Sequence, residues 1–206
     1  RDFKNLEEVI KKALDFGIEV EILTTESCLR KCPYMQEHRD HISKGGDDSY
    51  LQCACNTKKL QHPSQIFRAN FIRPEDIDFY KKKGINFFKI SGRSKPATWL
   101  PEVTQAYLDQ NYGGNLIRLL GIDPILNAEN WIFVENKSLN GFLENFPKSG
   151  NPNEELEYCD IWARKLINQD MFKVNGFNYQ NCNGKMVCND APEKIRRMYQ
   201  ENGKQL

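Results

Sequence analysis

Gly17 and Gly84 each stand between an amphipathic helical pattern and an apolar run. A helix–glycine–strand order that recurs in one chain restricts it to alternating α/β folds. In the first unit Leu6, Val9, Ile10, Ala13 and Leu14 fall at helical spacing behind Asn5 and Glu8, a capping-box-like start, and Gly17 closes the helix. Residues 18–25 follow as IEVEILTT, in which Ile18, Val20 and Ile22 alternate with Glu19, Glu21 and Leu23, the mark of a strand. The second unit begins at Arg73-Pro74 with proline in the first helical turn and carries Ile77 and Tyr80 on its apolar side. It ends in Lys81, Lys82 and Lys83, whose charge complements a helix carboxyl end more economically than it makes an anion site. INFFKI, residues 85–90, is its strand. Beyond it the spacing predicts a helix over 98–111, with Trp99, Val103, Ala106 and Tyr107 on one face, and a strand over 131–136. Helices are expected over 139–146, 155–167 and 193–199.

Such alternation implies a mostly parallel sheet with helical crossovers, as in barrels or doubly wound folds. A closed eightfold barrel takes at least about 200 residues. This chain of 206 spends residues 26–70 on a long irregular insertion, then shifts after Phe146 to the polar linker PKSGNPNEE. The expected fold class is α/β, a partial (β/α)8-type barrel with mostly parallel strands. Residues 1–147 form the barrel portion with a Cys-rich insertion at 26–70, and residues 148–206 a helical carboxyl-terminal extension.

Charge narrows the partners. With 29 Lys and Arg against 28 Asp and Glu, the net charge of +1 leaves no basic coat for nonspecific phosphate-backbone binding. No run approaches the roughly 18 apolar residues of a membrane span. The opening RDFKNLEEVI has neither an initiator Met nor a charged segment followed by an apolar one, so a start in mid-protein, no signal peptide and a cytoplasmic location are expected.

The seven cysteines are an odd number and unevenly placed, which argues against a disulfide framework. Cys28, Cys32, Cys53 and Cys55 lie close together, whereas Cys159, Cys182 and Cys188 come much later and read as scattered thiols. Cys28 follows the strand of residues 18–25 at its carboxyl end, where α/β folds place their active sites. On a turn of helix the i, i+4 spacing of Cys28 and Cys32 puts both sulfurs on one side, and Cys53-Ala54-Cys55 can close a four-thiolate cage that suits either zinc or an iron–sulfur cluster. His38 and His41, at i, i+3, can share a helix face toward a substrate or metal, or simply be solvated; His62, before Pro63, is structural. Lys89 lies inside an apolar strand and Arg93 follows a glycine at that strand's carboxyl end, where a guanidinium meets carboxylate or phosphate with two hydrogen bonds. Arg73 can serve likewise or pair with Asp76.

Taken in order, ESCLRKCPYMQEH, CAC, FIRPEDIDFYKKKGINFFKISGR, AYLDQNYGGNL and VENKSLNGFLENF resemble the carboxyl-terminal half of the collagenase-like peptidases, peptidase family U thirty-two, over roughly residues 1–168. The resemblance implies a (β/α)8 barrel whose first strands lie in an amino-terminal half or in a partner. It also implies a metal centre, an iron–sulfur cluster of the four-iron type favoured over zinc, with Cys28, Cys32, Cys53 and Cys55 as the matching ligands. Two activities come with it: oxygen-independent hydroxylation of RNA bases or a quinone precursor, as in several relatives, and peptide hydrolysis, as the family name says. A non-catalytic metal-binding subunit that completes its barrel with a partner is the third expectation. Arg73, Lys89, Arg93 and His38 are the expected contacts for a small anionic substrate or for a modified RNA or peptide. On chemical grounds the chain has no HExxH, no GxSxG elbow and no ordered Ser, His and Asp set. A Cys nucleophile with His38 or His41 as base is conceivable, but a thiolate committed to a metal cannot also attack a carbonyl.

Overall fold

The computed structural model of this chain describes residues 3–29, 32–46, 55, 57–59, 61–92, 95–122 and 132–174. Helix α1 (Phe3–Asp15) ends where Gly17 takes a positive φ of 66° and the N–H of Ile18 bonds the Ala13 carbonyl at 2.8 Å. Strand β1 (Glu21–Leu23) follows.

The second unit repeats this logic. Pro74 opens a 3₁₀ turn (Pro74–Asp76) that continues as a short helix (Ile77–Lys81), Gly84 turns the chain at φ 93°, and a strand runs over Phe87–Lys89. A Cβ on Gly84 would meet Leu14 at 3.4 Å, close to an ordinary contact, so the positive φ rather than space is what calls for glycine here. The two strands pair in parallel, Glu21 opposite Phe87 and Leu23 opposite Lys89, as the alternating pattern leads one to expect.

At Thr24 the chain departs from the expected strand of residues 18–25. The Thr24 N–H bonds Lys89 O at 3.0 Å, its hydroxyl bonds the same carbonyl at 3.1 Å, and its own carbonyl accepts from the N–H of Ile72. Strand β2 (Thr25–Leu29) then pairs antiparallel with β3 (Ala69–Phe71). Residues 26–70 are therefore not irregular throughout. They leave and return along β2 and β3 and carry α2 (Met35–Ser43) and α3 (Ser64–Phe67) between them. In chain order the helix Ile77–Lys81 is α4 and the strand Phe87–Lys89 is β4.

Beyond β4 come α5 (Trp99–Leu108) and α6 (Leu116–Leu119). Strand β5 (Ile132–Val134) leads into a 3₁₀ turn (Asn136–Leu139). The helix expected over 139–146 is replaced by this turn and those that follow, with Gly141 at φ 84°. Helix α7 (Pro152–Asn168) has Pro152 at its first position, and Asn151 caps it by accepting the N–H of Asn153 at 3.0 Å. Strand β6 (Phe172–Val174) pairs antiparallel with β5. The helix expected over 193–199 lies outside the described residues.

The expectation of mostly parallel strands is thus corrected: one described pair is parallel and two are antiparallel, and no closed barrel forms among the described residues. An excursion that returns beside its point of departure runs antiparallel to it, and that is what separates β2 and β3 from the parallel unit. One apolar core gathers most of these elements, while α2 buries none of its residues. Phe67 and Phe142 are fully buried with ring centroids 6.0 Å apart, and Cys159, Ala163 and Leu166 of α7 and Phe172 of β6 belong to the same cluster. Among the described residues no helix is long and apolar enough to cross a membrane.

Candidate functional site

The carboxyl ends of β1 and β4 are stitched together by hydroxyls. Thr25 Oγ1 accepts the Ser91 N–H at 2.9 Å and donates to the Ser91 carbonyl at 2.8 Å. This fixes the point from which β2 carries Cys28 outward. The Cys28 N–H bonds Glu26 Oε1 at 2.9 Å, and Cys32, ahead of α2, donates its N–H to Leu29 O at 3.1 Å.

Cys55 comes from the far side of the excursion, in a stretch where residues 55, 57–59 and 61 are helical. The structure brings Cys28 and Cys55 within electrostatic reach of each other, and Lys59 within reach of Cys28. Cys28 is exposed as a residue, but its thiol group lies among enough protein atoms for desolvation to be the main cause that pushes it up to about 12. The charge of the Glu26 carboxylate and a hydrogen bond to it act in the same direction, and the positive charge of Lys59 opposes them. Cys32 is half-buried. Cys53 lies outside the described residues, and among those described no three His, Cys, Asp or Glu side chains gather as a metal cage. Of the four expected ligands, Cys28 and Cys55 lie close enough for their charges to interact, and thiols are the donors that zinc and iron–sulfur clusters take.

The other expected contacts are dispersed. Arg73 is 1% exposed and engaged by the protein itself: Nη2 bonds Asp76 Oδ1 at 2.7 Å, Nε bonds Asp76 Oδ2 at 3.0 Å, and Nη1 reaches the Asn136 carbonyl at 3.1 Å and Asn140 Oδ1 at 3.3 Å. Of the two roles open to it, the structure shows the pairing with Asp76, because that carboxylate satisfies the guanidinium fork inside the core. Lys89 lies on the exposed side of β4, 3.4 Å from Glu21. His38 is half-buried in the middle of α2, and Arg93 lies outside the described residues.

Beside Arg73, Asn136 is wholly buried and donates Nδ2 to both carboxylate oxygens of Glu75, at 3.0 and 3.1 Å, and to Tyr112 O at 2.8 Å. This clamp ties the end of β5 to the turn that opens α4. Sequence reasoning passed over Lys59 as well. The one signal was its place four residues after Cys55, a helical neighbour spacing.

No known protein family matches the chain, and no solved structure matches it. Among curated proteins the chain is similar to an uncharacterized protease of Methanocaldococcus jannaschii, 30% identical over 173 residues. The match takes in 81% of this chain and 50% of the relative, so the chain spans half the length of the curated relative it matches.

Proposed function

We propose that the chain is part of a protease-like enzyme related to the collagenase-like peptidases, in which Cys28, Cys32, Cys53 and Cys55 hold one iron–sulfur centre beyond the carboxyl end of β1. The likeness to an uncharacterized protease supports the protease-like relation. What supports a common centre is that Cys28 and Cys55, from two segments that share no helix or strand, lie close enough for their charges to interact. Such a cluster, when bound, supplies one-electron transfer beside the substrate, which is what oxygen-independent hydroxylation requires. Lys89 on β4 and Arg93, four residues on in sequence, are the contacts proposed for an anionic substrate, with His38 a further polar group on α2. Arg73 is left out of that set because its donors are already used.

Peptide hydrolysis by a Cys28 nucleophile is the weaker alternative. A nucleophilic cysteine is activated by a lowered pKa, whereas burial and Glu26 push this thiol up to about 12. The discriminating experiment is anaerobic purification with iron, sulfide and zinc analysis and visible spectroscopy. Iron and acid-labile sulfide with broad visible absorption are expected. Stoichiometric zinc without sulfide would replace the cluster by a structural zinc site, and neither metal would refute a common centre.

A second reading has its own observation. Parallel strand pairs are ordinarily covered on both faces, yet Leu23 and Phe87 on β1 and β4, with Val9, Leu14, Phe16 and Ile18 nearby in sequence, are all exposed, Phe16 at 81%. The same region holds a groove of about 240 Å³ lined by Ile10, Leu14, Ile18, Val20 and Phe87 together with the polar Glu19 and Asn86. We propose that this face is where a partial barrel is completed, by further chain or by a partner subunit. Light scattering gives the test: a lone monomer that exposes this face without binding dyes specific for apolar surface would count against it.

A further inference from the structure

Helix α7 turns two different faces to its surroundings. Cys159, Ala163 and Leu166 lie on the core side. On the outward side Leu156, Glu157, Asp160 and Ile161 line a groove of about 370 Å³, with Asn153 and Arg164 at its two ends along the helix. Ile161 is 58% exposed. Glu154, Glu157 and Asp160 recur at i, i+3 on this side, and like charges at that spacing repel one another. The helix dipole accounts for Glu154 and Glu155 in the first turn but not for Asp160, further along the helix. Ser149 and Asn151 donate to the Glu154 carboxylate, at 2.6 and 3.2 Å, whereas no hydrogen bond or ion pair engages the Glu157 or Asp160 side chain among the described residues. An apolar patch edged by unanswered carboxylates fits a cationic amphipathic segment.

The chain carries such a segment. From Pro192 the sequence reads PEKIRRMY, in which Ile195, Met198 and Tyr199 fall at i, i+3, i+4 on one face of the helix expected over 193–199, with Lys194 and Arg196 on its two flanks. We propose that the outer face of α7 is an intramolecular docking surface for residues 193–199, which lie outside the described residues. Ile195, Met198 and Tyr199 cover Leu156 and Ile161, and the basic flanks answer Glu157 and Asp160. Glu193 supplies the opposite charge for Arg164. Reach is ample. The description ends at Val174, on the strand that directly follows α7, and residues 175–192 extend up to about 60 Å, against about 26 Å for the 17 residues of α7. The docking uses no residue of the proposed thiol centre or of the exposed β1–β4 face.

Hydrogen exchange of the whole chain, followed by mass spectrometry, reads the docking directly, because a helix this short is not stable alone in water and its amides are protected only while packed. Wild type is expected to protect residues 193–199 relative to a synthetic peptide of the same sequence, at every protein concentration. Ile161→Asp, and the pair Glu157→Lys with Asp160→Lys, should each speed their exchange about tenfold, the first through lost apolar cover and the second through repulsion. Adding Lys194→Glu with Arg196→Glu to the lysine pair should restore protection, whereas the same two tail substitutions alone should remove it. Exchange of residues 193–199 at the free-peptide rate in wild type overturns the proposal. So does protection unchanged by both groove variants, which would place the segment elsewhere. Protection lost on dilution assigns the groove to the tail of a second copy and overturns docking within one chain. If the groove variants fail to fold, Lys194→Glu with Arg196→Glu is set against Arg197→Glu, on the far side of the segment from its apolar stripe. Loss of protection in the first and its retention in the second upholds the docking, and equal protection in both overturns it.

Discussion

Asp76→Ala isolates what holds the turn between β3 and α4. The carboxylate takes two parallel charge-assisted hydrogen bonds from Arg73, at 2.7 and 3.0 Å, in a pair whose side chains are 2% and 4% exposed. Removing it leaves the guanidinium buried with the Asn136 carbonyl and Asn140 Oδ1 as its remaining acceptors, both neutral and at 3.1 and 3.3 Å. Breaking a buried pair from one side costs about 3–5 kcal/mol, because the orphaned charge keeps its desolvation penalty and loses its partner. In a chain of this size each kcal/mol moves the melting temperature by about 2–4 °C, so a fall of roughly 6–20 °C is expected. The double variant Arg73→Met with Asp76→Leu, which removes both charges at similar volume, should recover much of the loss. Guanidinium chloride unfolding followed by circular dichroism, on both variants and wild type, measures these differences. A loss for Asp76→Ala below about 1 kcal/mol, in the range of exposed pairs, would refute the claim that this arginine is a core element. It would also return Arg73 to the set of substrate contacts.

Phe142→Ala, at a wholly buried ring that meets Phe67, Phe146, Tyr158 and Trp162 with centroids 5.3–6.0 Å apart, should cost about 3–5 kcal/mol by chemical unfolding. The Arg118 guanidinium hydrogen-bonded to Glu102 holds that carboxyl below its ordinary value. Its contribution to stability is therefore present above the unfolded-state carboxylate pKa and is lost as pH falls through the lower folded-state value. Both side chains are 35% exposed, so the effect is small, about 0.2–1 kcal/mol, and Glu102→Gln should flatten the acid limb of a melting-temperature profile by that amount.

The helix–glycine–strand units were legible because their information is local. Leu6 through Leu14 repeat at helical spacing, Gly17 and Gly84 supply the positive φ that ends a helix, and the apolar runs after them can pair only where the preceding helix allows. Helices α5 and α7 followed from periodicity in the same way, and Asn151 caps the start of α7. The break at Thr24 was not legible. A strand that serves β4 on one segment and β3 on the next looks in sequence like one extended run, and the Lys89 and Ile72 backbone groups that divide it lie far along the chain. Arg73 shows the same limit, for its nearest partner is three residues away but its burial depends on Asn136 and Asn140, more than 60 residues on. Clustering, the place of Cys28 after the first strand and the family resemblance marked Cys28 and Cys55 as candidate chemistry-bearing residues. Only the tertiary structure buried Lys59, four residues after Cys55, because burial is a property of what packs around a side chain and not of its neighbours in sequence.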